Sequence, residues 1–112
     1  MGYTKQNGEF ANTMDINLSP ASALSANAVS NAVEVGDKGV VRLDLVVAAI
    51  VGTLNVTIQG SKDGVTWASM GTFTAVSAPG SERKLFMADR FIRASYVVSG
   101  GPSATTLAGE AC

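Results

Sequence analysis

The chain carries few of the side chains that enzymes use to move protons, attack substrates or hold metal ions. It contains no histidine, and it therefore lacks both the commonest general base and the commonest metal ligand. Its one cysteine, Cys112, is too little on its own for a zinc site. These counts predict a protein with no enzymatic activity, no catalytic residues, and no metal or other cofactor.

Carboxylates are the remaining candidates for chemistry. The nine Asp and Glu residues are spread along the chain, and no two are closer than three positions. Asp37 and Asp63 stand beside glycine in turn sequences, where hydrogen bonds to the local backbone explain an aspartate. Neither begins a series of oxygen ligands at alternating positions, as a calcium loop requires. A glycosidase-type pair of carboxylates would have to be brought together by the fold alone.

The clearest structural signal in the sequence is a β-hairpin over residues 54–73. Apolar and polar side chains alternate over residues 54–59, which is the pattern of a strand with one buried face. Asp63 and Gly64 follow, and this dipeptide favours a tight type I′ turn. Trp67 and Phe73 share parity on the returning arm, so both are expected in the core if no bulge intervenes. The alternative for Trp67 is a platform on which a sugar ring stacks.

Similar patterns predict further strands. Alternation covers residues 29–35, 43–47 and 92–98, and shorter strands are expected over 81–87 and 103–109. At 81–87 the inward-facing parity stays open, because Leu85 and Phe86 are adjacent. Turn sequences recur roughly every 8–12 residues, and no long stretch keeps a helical period. The sequence therefore predicts an all-β fold, most simply an antiparallel β-sandwich of two packed sheets.

The first 26 residues differ from the rest, since small and polar residues dominate and the apolar ones keep no sustained period. We predict an extended N-terminal arm over 1–26, with one short strand near 15–18, and a β-sandwich domain over 27–112. Tyr3 and Phe10 are either exposed rings on a tail or anchors for a neighbouring subunit. Deleting the arm is expected to leave a folded sandwich.

Charge and hydropathy narrow the possible partners. Charged residues make up 15% of the chain and the net charge is −1, so the basic stripe of a nucleic-acid-binding protein is missing. The longest apolar run, 45–51, is too short to cross a bilayer, and no secretory signal is evident. We therefore expect synthesis in the cytoplasm, no membrane association and no direct contact with nucleic acid. So few charges also suggest that neighbouring subunits cover much of the surface.

Three more residues are candidates for contacts between subunits. Arg90 and Arg93 lie close together near a predicted strand, where they either remain solvated or form intersubunit salt bridges. Cys112 is either an inert terminal residue or a thiol that forms an intermolecular disulfide.

Four short motifs stand out across these segments. Ser-x-Asp-Gly-x-x-Trp occupies 61–67, and Phe-x-Arg follows some two dozen residues later at 91–93. The strings Gly-Thr-Phe-Thr-Ala-Val at 71–76 and Pro-Gly-Ser-Glu-Arg at 79–83 accompany them. With these motifs, roughly residues 28–110 resemble a group of small β-sandwich virion proteins encoded in tailed bacteriophages.

The resemblance implies a structural role in the virion, above all as a capsid decoration or cement protein that bridges major capsid subunits. Its partners would be the major capsid protein and copies of itself, and its location would be the capsid surface. The alternatives are a component of the tail or head–tail junction, or a carbohydrate-binding adhesin module. The arm and Cys112 lie outside the matched segments.

Overall fold

A computed structural model describes residues 14–20, 24–36 and 38–112. In this part of the chain it shows nine strands and no helix. The strands are β1 (Met14–Asn17), β2 (Ala28–Val29), β3 (Val33–Glu34), β4 (Val40–Ile50), β5 (Thr53–Ser61), β6 (Ala68–Thr72), β7 (Gly80–Met87), β8 (Phe91–Ser99) and β9 (Ser103–Ala111).

The strands form two antiparallel sheets. Sheet 1 has the order β1-β9-β4-β7, and sheet 2 has the order β2-β8-β5-β6, with β3 also paired to β8. The inward side chains of the two sheets form one core, so the predicted all-β, sandwich-like fold is confirmed. The strand predicted over 103–109 is longer than expected and occupies an interior position between β1 and β4.

The core follows the alternation that the sequence shows. The buried apolar side chains are Ile16, Leu18, Leu24, Val35, Val41, Leu43, Leu45, Val47, Leu54, Val56, Ile58, Phe73, Phe86, Ile92, Ala94, Tyr96, Leu107 and Ala111. Each fully buried Leu, Ile or Val stabilises the fold by about 1.5–3 kcal/mol relative to an exposed one. Phe86 packs edge-on against Phe73, which settles the inward parity of β7 and turns Leu85 outward.

The N-terminal segment joins the sandwich much earlier than residue 27. β1 confirms the short strand expected near 15–18, but it is a strand of sheet 1 and pairs with β9. Ile16, Leu18 and Leu24 are core residues, and the Leu18 carbonyl accepts a 2.5 Å hydrogen bond from the buried Tyr96 hydroxyl. The described part of the predicted arm is thus built into the domain. Residues 1–13, with Tyr3 and Phe10, lie outside the described residues.

The strand predicted over 29–35 is interrupted, because a side chain replaces a backbone group in the ladder. The Ala94 N–H donates to the Ser30 hydroxyl at 2.8 Å instead of to a carbonyl. The Ser30 N–H still donates to the Ala94 carbonyl at 2.8 Å. The result is two short pieces, β2 and β3, along one edge of sheet 2.

The connection between β5 and β6 is a six-residue loop, 62–67, rather than the predicted two-residue turn. Gly64 does adopt a positive φ of 77°. Asp63 accepts hydrogen bonds from the backbone N–H groups of Val65 and Thr66, at 2.8 and 2.9 Å, through one carboxylate oxygen. These local hydrogen bonds stabilise the wider six-residue loop in place of a tight type I′ turn.

A bulge in β6 reverses the orientation of Trp67. Ile58 pairs with Gly71 and Gln59 pairs with Ser69, so Met70 is an extra residue on the β6 side. The Met70 side chain lies against Gly60, which pairs with Ala68, and a Cβ atom on Gly60 would collide with the Met70 sulfur. Phe73 therefore points into the core while Trp67 lies half-buried on the outer face, and the prediction of Trp67 as a core residue is wrong.

Candidate interaction surfaces

The outer face of sheet 1 carries an exposed apolar patch of Val40, Leu85 and Met87. Val40 pairs with Met87, and the next outward pair joins Leu85 to Arg42. The three apolar residues are 36%, 64% and 78% exposed, respectively. Cys112 borders this patch, because its N–H donates to the Val40 carbonyl at 2.9 Å. Contiguous groups of large exposed apolar side chains are often found where one protein binds another.

Ion pairs cover the neighbouring part of the same face. An Arg83 nitrogen lies 2.6 Å from an Asp44 oxygen, and this contact raises the pKa of Arg83. Arg42 and Glu110 are 3.5 Å apart. Within the described residues, the buried Nε of Arg42 has no hydrogen-bond partner. Exposed pairs of this kind contribute little to the stability of the fold, because water and salt screen the attraction between the charges.

The outer face of sheet 2 carries a different group, the Arg93 cluster of Trp67, Arg93 and Gln59. The Arg93 guanidinium carbon lies 4.2 Å from the centre of the Trp67 ring. The Arg93 Nε donates to the Gln59 side-chain oxygen at 2.7 Å. Since β5 lies between β8 and β6, the Arg93 side chain crosses Gln59 to reach the indole. The cluster thus combines a cation, an aromatic ring and an amide on one face.

Arg90 is held differently, although it lies only three residues away. Its Nε is 2.7 Å from a Glu34 oxygen, and its guanidinium lies 5.6 Å from the centre of the Phe91 ring. The Arg90 side chain is 61% exposed and the Glu34 side chain is 50% exposed. Arg90 is therefore already compensated by a carboxylate of its own chain.

The loop after β5 is held together by Asp63. Its carboxylate also accepts a 2.9 Å hydrogen bond from the buried Ser61 hydroxyl. The N–H groups of Thr66 and Val65 and this hydroxyl stabilise the charged form, and they lower the pKa of Asp63 below its ordinary value of 3.8. The Asp63 carboxylate thus stabilises the conformation of the loop, as its position beside Gly64 indicates.

Of the open clefts at the margins of the sandwich, two adjoin apolar core residues. One, of about 290 Å³, has the core residues Leu45 and Val47 at its base and the chain around Val76 as a wall. The other, of about 400 Å³, is lined by small and polar residues between 19 and 31 and by Tyr96. Burial raises the pKa of the Tyr96 phenol, and its hydroxyl is already used in the bond to Leu18. Neither cleft brings together groups for acid–base or nucleophilic chemistry.

Residues 14–20, 24–36 and 38–112 offer neither a metal site nor a membrane-spanning helix. In these segments no three acidic or sulfur-bearing side chains lie close enough together to hold a metal ion. Nor does any helix in them have the length and apolarity that a bilayer-spanning segment needs.

The candidate interface residues that the structure describes do not form one site. Arg93 lies on the outer face of sheet 2, Arg90 lies just before β8, and the exposed Cys112 borders the apolar patch on sheet 1. Neither the contact between Gln59 and Arg93 nor the outward position of Trp67 was predicted from the sequence. The alternation over 54–59 already predicts that Gln59 faces outward. The outward orientation of Trp67 follows only from the bulge at Met70.

Comparisons with known proteins give a likeness of fold. No protein-family model and no curated protein matches the chain. A solved structure from the work "Bacillus endospore appendages form a novel family of disulfide-linked pili" is similar, with a TM-score of 0.54 and 14% sequence identity. The alignment covers 88% of this chain and 79% of that one. At this level of identity, the chain shares with that pilus protein a sandwich-like β-fold.

Proposed function

We propose that this protein is a non-enzymatic structural subunit that binds to neighbouring subunits, as a decoration or cement protein on a bacteriophage capsid. Its partners are the major capsid protein and further copies of itself, and it is made in the host cytoplasm and carried on the virion surface. The apolar patch is the observation that carries this proposal. Three large apolar side chains stay uncovered in the isolated chain, and they would be buried in an assembly.

The patch supplies enough free energy for a weak contact at each site. Leu85 and Met87 are each more than three-fifths exposed. Full burial of such a side chain is worth about 1.5–3 kcal/mol, so covering what remains exposed contributes about 1–2 kcal/mol from each. Since a ligand of the assembled shell stabilises it at every occupied site, many weak contacts add up to a resistant particle.

Face-to-face contact fits the structure better than strand addition at the β7 edge. The Lys84 ammonium donates to the Thr72 carbonyl at 2.5 Å, and the Thr74 N–H donates to the Glu82 carboxylate at 2.9 Å. These side chains connect β7 to the neighbouring sheet along the edge that an added strand would use. Charged side chains on an edge strand also oppose pairing with another chain.

A filament subunit is the second candidate, because the similar solved structure comes from work on disulfide-linked pili and Cys112 is exposed. A chain with a single cysteine forms only one disulfide. Disulfide linkage alone would therefore end at a dimer, and a filament would need non-covalent contacts as well.

The adhesin alternative has less support. Trp67 does lie on the outer face, as a sugar-stacking ring must. However, the Arg93 guanidinium covers the indole face that looks across the sheet.

Binding of a patch variant to capsids tests the proposal. We would make Leu85→Ser together with Met87→Ser and measure co-sedimentation with bacteriophage heads assembled without this chain. Losing about 2–4 kcal/mol predicts binding weaker by roughly 30-fold to 1000-fold. Val65→Ser is the matched control, since Val65 is 80% exposed but lies in the loop after β5. Equal binding by the double variant and the wild-type chain would overturn the proposal.

A further inference from the structure

We propose that the Arg93 cluster is a carboxylate-binding site, and that it takes an Asp or Glu side chain from a neighbouring protein subunit. The inference rests on the proposed function for the source of the carboxylate. The site lies on sheet 2, so it is separate from the apolar patch on sheet 1.

Two contacts fix the plane of the Arg93 guanidinium. Trp67 supports one face of the group at 4.2 Å, and Gln59 accepts a 2.7 Å hydrogen bond from Nε. The two terminal nitrogens remain, and together they form the planar fork that pairs with a carboxylate through two parallel hydrogen bonds. Because folding already orders this long side chain, a ligand bears less of the entropic cost of fixing it.

The charge on Arg93 has no acidic partner within the described part of the chain. The other three arginines each have one: Arg42 with Glu110, Arg83 with Asp44, and Arg90 with Glu34. The hydrogen bond to Gln59 is to a neutral amide, and it leaves the positive charge uncompensated. A half-buried cation that is rigidly held and has no acidic partner among the described residues is suited to an incoming anion.

The surroundings favour a protein carboxylate over other anions. An acidic sugar would stack on an aromatic ring beside its anion site, but Arg93 itself occupies that face of Trp67. A nucleic-acid backbone would need a row of cations, whereas the next outward pair on the sheet, Thr57 and Ser95, is neutral. These hydroxyl-bearing residues are half-buried, and they supply hydrogen-bonding groups next to the guanidinium.

Trp67 makes the site directly measurable, because it is the only tryptophan in the chain. Its fluorescence would be followed while the full-length protein is titrated with an acetylated, amidated hexaglutamate peptide at constant ionic strength. We expect a saturable change in emission. Arg93→Gln should weaken the binding at least about tenfold, and Arg93→Lys should restore it only in part, since lysine lacks the planar fork. Arg90→Gln is the matched control and should bind like the wild-type chain, because Glu34 already compensates Arg90.

Titrations with other anions and with the Arg93 variant distinguish between the possible ligands. Hexaglucuronate or inorganic phosphate that binds more tightly than hexaglutamate would overturn the assignment to a protein carboxylate. Unchanged binding by a folded Arg93→Gln variant, with circular dichroism as the check on folding, would overturn the site. No saturable change with hexaglutamate would do the same.

Co-sedimentation with heads separates the failure of this site from the failure of the proposed function. If wild-type protein binds heads but not hexaglutamate, the site is wrong and the function stands. If it binds hexaglutamate in an Arg93-dependent way but never binds heads, the site stands and the capsid function is wrong. When both hold, Arg93→Gln should also weaken binding to heads at least about tenfold.

Discussion

The N-terminal segment offers the sharpest test of how the sandwich is held together. Removing residues 1–13 leaves every described core contact in place, so this truncated protein should fold. Removing residues 1–26 deletes β1 together with Ile16, Leu18 and Leu24, which are all buried. We expect the longer deletion to unfold the domain, contrary to the expectation from sequence that the arm is dispensable for folding.

The buried side chains set the size of this effect. At about 1.5–3 kcal/mol each, the three lost core residues remove about 4.5–9 kcal/mol of stabilisation. The Tyr96 hydroxyl also loses the Leu18 carbonyl, and an unsatisfied buried hydroxyl costs about 1–3 kcal/mol more. Small domains have only about 5–15 kcal/mol of total stability, so the loss is comparable to the whole.

Thermal and urea unfolding followed by circular dichroism would measure the difference between the two deletions. The 14–112 protein should show a cooperative transition, whereas the 27–112 protein should show none or a greatly lowered midpoint. Ile16→Ala in the full chain gives an intermediate case, with an expected loss of about 2–5 kcal/mol. A 27–112 protein as stable as the 14–112 protein would refute the assignment of β1 to the core.

Three further predictions follow from single side chains. Phe73→Ala should cost about 3–5 kcal/mol in urea unfolding, while Trp67→Ala should cost under about 1.5 kcal/mol; equal losses would contradict the bulge. The folded-state pKa of Asp63 is lowered, so its ionised form stabilises the fold above the ordinary carboxyl pKa of 3.8, and this contribution is lost as the pH falls through the folded-state value. The stability difference between wild type and Asp63→Asn should therefore shrink below pH 3.8, and a constant difference between pH 7 and acid would contradict the role of the carboxylate. After oxidation, non-reducing electrophoresis should show a dimer that Cys112→Ser abolishes, and monomer alone would exclude the intermolecular disulfide.

The fold could be predicted because it depends on short-range alternation. Leu54, Val56 and Ile58 reach the core because successive strand residues face opposite sides. β1 was harder to place, because four residues with one buried side chain look the same in an arm as in an edge strand. Its role depends on pairing with β9, some 90 positions away along the chain, which no local pattern reports.

The candidate site was predicted only in part, for a similar reason. Arg93 was recognised as a contact residue, but its partner Trp67 was placed in the core. Because Met70 is an extra residue in β6, the residues that precede it face the opposite side of the sheet from the one that simple alternation predicts. The Met70 side chain packs against Gly60, where a Cβ atom would collide with its sulfur, and a bulge of one residue leaves no distinct pattern in the sequence.

Electron microscopy of isolated virions at side-chain resolution would show whether this chain decorates the capsid through its apolar patch. We expect many copies of this chain on the outer surface of the capsid, with Leu85 and Met87 buried against a capsid subunit or another copy. Capsids without the chain, or copies whose apolar patch faces solvent throughout, would contradict it.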